Sequence, residues 1–358
     1  MTRVAVIGSG VVGATVAYEL SRQPQFEVHI VDAAHPAQGS TQAALGVLMG
    51  IISHKVKGRN WRLRRDSIER YRTLIPELEE QLGRPILHNR QGIVSLCFDP
   101  EQLPRWRSLQ EKRGAQGYPL EIWSPQQLHQ RCPQLSLTGV QAAIYSPKDG
   151  QVHPQQLTLA LLEAAPGLRC YWQSPVTAIA PQGGGYRLSL PHQTLTADWV
   201  IITAGLGSEA LAQQLPSSDP LPMVAVAGQA MEIELAQPLG DPGFQPVLNG
   251  SDVHLVPLGD RRYWLGATVE FPPEAGPPLL EEALVEQMWD TAVGYCPAVA
   301  EAKILRRWVG YRPRPQGQGA PVIKPLCDRI LLATGHYRNG VLLAPATAAA
   351  VLKQLENS

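Results

Sequence analysis

Three features of the sequence predict a two-unit chain of mixed α/β and α+β class, in which a doubly wound sheet is interrupted by a second unit built on a mostly antiparallel one. The first is Val4 to Gly13 (VAVIGSGVVG), a buried-strand pattern running into glycines at 8, 10 and 13. The second is a late return of the same strand, turn and helix: the apolar run Arg329 to Thr334, the polar turn Gly335 to Gly340, and the helix Ala346 to Leu355 with Pro345 at its threshold. Between them, Val224 to Ile233, His254 to Pro257 and Tyr263 to Thr268 alternate like antiparallel strands, with Gly259 and Asp260 turning the last pair.

Gly8, Gly10 and Gly13 keep the G-x-G-x-x-G spacing of a strand-to-helix turn that meets a pyrophosphate. Gly8 permits the tight turn, Gly10 lets backbone approach phosphate oxygens without a Cβ in the way, and Gly13 lets helix and strand pack closely. Val11 and Val12 open the helix, whose free N–H groups and partial positive charge suit an anion. Val28 to Val31 forms the next strand and ends at Asp32, with Ala33 beside it, about 20 residues beyond the last glycine. A carboxylate there accepts both ribose hydroxyls of an adenosine and repels an NADP phosphate. Strand, helix, second strand and acid within roughly 30 residues favour a bound dinucleotide over a glycine turn of purely steric use.

The chain has 358 residues, enough for two units and a sizeable core. Lys and Arg number 31 and Asp and Glu number 31, so the charges cancel and no nucleic-acid partner is expected. No apolar run reaches the roughly 18 residues that a membrane span needs. The N-terminal apolar run leads directly into the glycine motif, without the basic flank and cleavage site of an export signal. Cys97, Cys132, Cys170, Cys296 and Cys327 are scattered, odd in number and without C-x-x-C spacing. They predict neither a metal site nor a disulfide framework, and a reduced, cytoplasmic protein.

In chain order, Gly39 to Gly46 places small residues where phosphates and a flat ring could approach backbone; Ser40, Thr41 and Gln42 are ready donors, and Ala44, Leu45 and Gly46 continue the run. Asn60 to Leu82 carries apolar residues at three- and four-residue spacings and reads as one amphipathic helix. Its start is basic (Lys55, Lys57, Arg59, Arg62, Arg64, Arg65), either a solvated face or a loop that favours anionic substrates. Ile86 to Phe98 reads as a hairpin turning near Asn89 to Gly92, and Leu103 to Arg113 as a helix. Ser124 to Cys132 is a short helix capped by Ser124 with Pro125 at its first position, and Ala142 to Ser146 is a strand. His153 precedes the helix Gln155 to Ala165, where capping or packing outweighs catalysis.

Short strands follow at Leu168 to Trp172, Val176 to Ile179, Tyr186 to Leu190 and Trp199 to Thr203. The last leaves through Thr203, Ala204 and Gly205, an exit suited to a nucleotide at a sheet's C-terminal edge. A Ser/Pro-rich crossing at Pro216 to Pro222 leads into the antiparallel strands, and Leu279 to Ala292 is helical. Residues 1–84, 145–218 and 305–358 are therefore expected to form the nucleotide-binding domain, and 85–144 and 219–304 the second domain. A chain that leaves its first domain twice argues against a simple NAD dehydrogenase.

Arg312 lies in V-G-Y-R-P-R-P, where the two units meet. Its guanidinium can hold a carboxylate through two parallel charge-assisted bonds; a structural ion pair at the junction is the alternative. The run Gly335 to Thr347 (GHYRNGVLLAPAT), with the N-terminal glycine motif, Gly-Tyr-Arg-Pro at 310 to 313 and L-G-A-T at 265 to 268, resembles the glycine oxidase branch of the D-amino-acid-oxidase-like flavoprotein family over nearly the whole chain. The resemblance implies FAD, a discontinuous Rossmann-like FAD-binding domain, and a substrate domain with a large antiparallel sheet. By position it gives Asp32 the adenosine ribose and the Val176 backbone the adenine. It lays Arg338, Asn339, Gly340, Val341 and Leu342, with His336 just before them, along the flavin's pyrimidine edge, and it makes Arg312 the anchor of the substrate carboxylate. His254 stands where the branch has a tyrosine that helps hold that carboxylate, the basic segment replaces a smaller, more acidic stretch, and P-V-I-K (Pro321 to Lys324) replaces P-x-I-G.

The activity that the resemblance implies is oxidation of the Cα–N bond of a small amino acid, glycine first, with Arg312, His254 and Arg338 as the catalytic set. The resulting imine hydrolyses to a 2-oxo acid and ammonia, O₂ becomes hydrogen peroxide, and thiamine biosynthesis is the implied use of the imine. Rival expectations are a dehydrogenase of an amino acid or N-methyl amine that passes electrons to a quinone or carrier, and a flavin-containing scaffold with little turnover. A homo-oligomer is compatible with either. An imidazole at 254, with an ordinary pKa of about 6.5, would add a second positive donor at lower pH if it faced the carboxylate, with Arg312 pushing that pKa down. Strand alternation alone does not say whether position 254 faces the site or the sheet's packing.

Overall fold

A computed structural model of the chain describes residues 1–215, 221–274 and 276–357; most of the crossing expected at Pro216 to Pro222 lies outside them. The apolar strands Thr2–Ile7, Phe26–Val31, Trp199–Ile202 and Ile330–Thr334 are buried almost throughout, as strands covered on both faces must be. They form a six-stranded sheet in the order Val322–Cys327, Ile330–Thr334, Trp199–Ile202, Thr2–Ile7, Phe26–Val31, Arg169–Tyr171. All neighbours are parallel except the first pair. Parallel strands need helices to cross over, and the helix Val11–Ser21 lies between the helices Pro154–Ala164 and Gly340–Glu356. The expected strand at Val176 to Ile179 begins two residues later, as Ala178–Gln182, in a three-stranded antiparallel sheet with Gly185–Ser189 and Thr194–Ala197.

The second large sheet has eight strands in the order Lys303–Pro315, Met223–Glu234, Arg262–Gly266, Val253–Gly259, Val247–Gly250, Ile93–Cys97, Ala142–Ser146, Glu121–Trp123. It is antiparallel apart from the pair Val247–Gly250 and Ile93–Cys97. The thirteen-residue strand Lys303–Pro315 runs along Met223–Glu234, so this sheet continues ten residues past the boundary expected at 305. The helix Glu282–Tyr295 packs its Val285, Met288, Ala292 and Tyr295 against the sheet, at the position expected for Leu279 to Ala292.

Two expectations about local structure are corrected. Ile86 to Phe98 is not a hairpin: His88–Asn89 pairs with Gly150–Val152 in a small sheet, whereas Ile93–Cys97 joins the eight-stranded one. Gly92, at φ +82°, makes the change of sheet possible, because a Cβ there would meet Ser146 O at 2.6 Å. The C-terminal helix starts at Gly340 and not at Ala346, with Pro345 inside it. Proline has no N–H to give Val341 O four residues back. The Tyr71 hydroxyl donates to that carbonyl instead, and Ser67 Oγ accepts from the Ala346 N–H. Both hydroxyls stand four residues apart on one face of the helix Gly58–Leu82, so that helix repairs the ladder that Pro345 breaks.

Candidate active site

Gly8 has φ +108°, and a Cβ at Gly13 would lie 1.9 Å from Gly8 O and 2.5 Å from Thr203 Oγ1. Thr203 in turn donates to Ile7 O and Gly8 O, at 2.9 and 3.0 Å, so strand, turn and helix close on one another only without side chains at these glycines. Gly10 leaves the approach to the helix N-terminus clear; the Thr41 hydroxyl reaches it and accepts from Val11 N–H at 3.0 Å. Asp32 is held by three donors: Ser9 N–H and Ser9 Oγ on one oxygen, at 2.6 and 2.7 Å, and Ala34 N–H on the other at 2.9 Å. Nothing in the sequence marks Ser9, because the middle residue of G-S-G has no fixed role in the motif. Ala33, Ser40 and Gln42 are exposed, Val12, Ala44 and Val176 are half-buried, and Ala204 and Gly205 lie at the same strand ends as Thr203.

The run from Ser40 to Gly46 docks on the long strand of the other sheet. Ser40 Oγ donates to Tyr311 O at 2.6 Å, Trp308 Nε1 donates to Ala43 O at 3.0 Å, and a Cβ at Gly310 would meet Ala43 Cβ at 2.2 Å. Gly46 is as tightly placed, with Val152 O at 1.8 Å from a Cβ position, and Leu45 is buried with Ala230, Val256 and Trp264. His153 accepts from Gln156 N–H at the start of its helix and packs edge-on against Trp264, the capping role expected for it.

Arg312 stands opposite Val226, and the bare Gly228 two residues along that strand gives its guanidinium room: a Cβ there would lie 2.2 Å from Nη2. Nη1 donates to Ala227 O at 2.7 Å and Nη2 to Thr268 O at 3.0 Å. Glu270, which accepts from the Thr268 hydroxyl, Gln229 Nε2 and Glu281 N–H, supports this corner and was not legible in the sequence. The register resolves the face of His254. It pairs with Gly266, which pairs with Ala230, and Ala230 is two residues from Gly228 on the same strand. Direct cross-strand partners share a face and alternate residues share a face, so His254 lies on the Arg312 side of the sheet. Its ring is buried, and its Nδ1 has no hydrogen-bond partner. Arg338 is exposed and pairs loosely with Asp252 at 3.8 Å.

His336 stands just before the turn that leads into the C-terminal helix. Its ring is buried, with Nε2 2.9 Å from Thr347 Oγ1. Since Thr347 donates its own hydrogen to Leu343 O, Nε2 must carry the proton of that bond. The Nε2 N–H of His336 is thus spent on the helix.

Burial pushes His254 down to about 4, with Arg338 adding to the shift, and pushes His336 to about 3, with Arg59 adding to it. The neighbour that matters for His254 is therefore Arg338 and not Arg312, and the ring is neutral at ordinary working pH. Above pH 6.5 these rings are neutral folded and unfolded alike, and the stability is complete. Below it the unfolded chain takes up protons that the folded one refuses, so stability falls as pH drops from about 6.5 towards 4. Melting temperature against pH should show this decline, and His254→Tyr should flatten it. An unchanged acid slope in that variant would remove His254 from the account.

Residues 3–354 match the model of the family described as FAD dependent oxidoreductase. The chain belongs to that family. FAD is accordingly its cofactor, and the residues just described suit it: a glycine cradle at a helix N-terminus that the Thr41 hydroxyl reaches, an acid at the end of the second strand, and a small-residue run between the sheets. The chain is similar to glycine oxidase of Geobacillus kaustophilus (strain HTA426), 27% identical over 358 residues that cover 99% of this chain and 92% of that protein. It is 31% identical over 362 residues to the bifunctional protein ThiO/ThiG of Synechocystis sp. (strain ATCC 27184 / PCC 6803 / Kazusa). That match covers 97% of this chain but 50% of the relative, so the chain spans half the length of that protein. The crystal structure of glycine oxidase from Geobacillus kaustophilus superposes with a TM-score of 0.88 at 25% identity, covering 100% of this chain and 96% of the other. Among the described residues, no helix is long and apolar enough to cross a membrane.

Proposed function

We propose that this family member oxidises the Cα–N bond of a small amino acid, glycine first, and passes the electrons to O₂. The observation that carries the reading is the Arg312 corner: a guanidinium pinned by two backbone carbonyls over a glycine gap, with its remaining N–H groups free of any acidic partner within ion-pair distance among the described residues. Similarity to glycine oxidases supports the same substrate class.

In this reading Arg312 takes the substrate carboxylate as a two-pronged pair, which fixes the direction of Cα–H. Burial depresses both Arg312 and His254 and Arg338 adds to it, so Arg338 lends positive field to the same carboxylate. Neutral His254 offers one ring N–H as a donor in place of a tyrosine hydroxyl. No base on the chain is needed beyond loss of the ammonium proton to solvent, since the substrate then gives up two electrons with its Cα–H and becomes an imine. Water hydrolyses the imine to a 2-oxo acid and ammonia. Bound FAD supplies the two-electron acceptor.

The test is anaerobic mixing of the yellow holoprotein with glycine and other small amino acids, followed by air. Bleaching of the flavin band and its recovery in air, with one hydrogen peroxide formed per amino acid consumed, is the expected result. Bleaching that air fails to reverse would replace the oxidase by a dehydrogenase using a quinone or carrier. A flavin that no amino acid or N-methyl amine bleaches would leave only the scaffold.

A further inference from the structure

We infer that Arg64 is the counter-cation of the flavin's pyrimidine edge, a positioning residue that favours the electron-rich state of the cofactor and does not touch substrate. The inference rests on the FAD reading above. Arg64 is only 9% exposed. Its Nη1 donates to Asn60 O and its Nη2 to Asn339 Oδ1, each at 3.3 Å, and its Nε has no partner at all. A guanidinium carries five N–H donors, so two long bonds leave it far from satisfied. No carboxylate lies within ion-pair distance of it among the described residues.

The neighbouring buried arginine shows how differently a purely structural cation is treated. Arg113 is fully buried, yet it donates to Ile51 O, Ser53 O, Lys55 O and Gln116 Oε1, and stacks over Trp61 at 3.5 Å. Burial disfavours the Arg64 charge and the Asp149 carboxylate offsets part of that, but no hydrogen bond or ion pair joins the two among the described residues. The Asp149 oxygens are already taken by the N–H groups of Gly50, Ile51 and Ile52 and by the Ser146 hydroxyl. Burial of an unpaired charge is costly, so a missing anion is the simplest account of a cation left in this state.

The place of Arg64 says which anion. Its Asn339 partner is the residue before the helix Gly340–Glu356, which the Ser67 and Tyr71 bonds lock against the Arg64 helix. A helix N-terminus is itself positive, and cations there are disfavoured unless an anion compensates both. Two positive features thus meet at the Arg338–Leu342 turn. The group assigned to that turn is a ring that gains negative charge when it accepts two electrons, and that charge is what an unspent buried guanidinium would offset.

Sulfite is the probe, because its adduct with oxidised flavin places negative charge on the same ring and bleaches the visible band without turnover. Arg64→Met, at normal FAD content, should weaken sulfite binding at least tenfold, equivalent for a two-electron couple to a midpoint potential about 30 mV lower. Arg64→Lys keeps the charge and should stay within threefold of wild type. Sulfite affinity of Arg64→Met within twofold of wild type, with or without a lower melting temperature, would make Arg64 structural only. Should Arg64→Met not fold, a tenfold loss in Arg64→Lys would overturn the electrostatic role and its retention would support it. Wild-type protein without a flavin spectrum would overturn the FAD reading itself, and this inference with it.

Discussion

Arg312→Ala is expected to lower kcat/KM for the amino acid by about 2 to 4 kcal/mol, roughly thirtyfold to a thousandfold, while FAD content stays normal. The size follows from what is removed: a half-buried cation whose two fixed bonds, to Ala227 O and Thr268 O, already set its plane before substrate arrives. Preorganisation of that kind makes the carboxylate contact worth more than an exposed ion pair. Lysine should rescue poorly, because a single ammonium cannot both satisfy the two carbonyls and present a fork to the substrate. Steady-state kinetics on both variants, with the flavin spectrum as the check on folding, decide the matter. Arg312→Ala with wild-type kcat/KM would end its assignment as anchor.

What could be foreseen from the sequence was what is local. The glycine spacing at 8 to 13, the acid at 32 and the run 335 to 347 each carry their meaning within a few residues, and the six-stranded sheet lies where they put it. The long strand Lys303–Pro315 was hidden because its basic residues (Arg306, Arg307, Arg312, Arg314) and two prolines mask any apolar alternation. It is a strand because Met223–Glu234 offers a partner along its whole length, a fact some eighty residues away in the sequence. The first turn of the C-terminal helix is hidden for a similar reason: Pro345 normally marks a helix start, and Tyr71 and Ser67, far upstream, allow it in the interior. His254 shows the third kind of limit. Its residue type invited a titrating role, but register with Gly266 and depth of burial settle its face and hold it neutral. Arg64 reads at first as one of six charges in a basic run, and what separates it from its neighbours is helical spacing: three residues after Trp61 and four before Ile68, it falls on the buried stripe of the helix.

Asp149→Ala is expected to destabilise the protein by about 3 to 5 kcal/mol and to weaken FAD binding, although no motif marks the residue. Its side chain is buried and accepts four hydrogen bonds of 2.8 Å: Gly50 N–H and Ile51 N–H on Oδ1, Ile52 N–H and the Ser146 hydroxyl on Oδ2. Burial pushes the carboxyl up and those donors pull it back, so the group stands on its bonds. Without it the Ile51 and Ile52 N–H groups lose their acceptor in a place where water cannot replace it, at about 1 to 3 kcal/mol each before relaxation, while Gly50 N–H keeps its second bond, to Leu48 O at 3.1 Å. Asp149→Asn is the sharper probe. Its carbonyl oxygen can keep Gly50 and Ile51, but its amide then points hydrogens at the Ile52 N–H, and only Ser146 can turn its hydroxyl to accept. The asparagine variant should therefore fall between wild type and alanine. The effect reaches the cofactor because Gly50 to Ile52 follows the strand Val47–Leu48, which pairs with Gly150–Val152 and closes the run from Ser40 to Gly46 between the two large sheets. Urea unfolding of the three proteins, with flavin release followed in the same titration, measures both consequences. Equal midpoints for wild type and Asp149→Ala would show that the segment holds itself without the carboxylate. A lowered midpoint with FAD affinity intact would separate the clamp from the cradle it is argued to support.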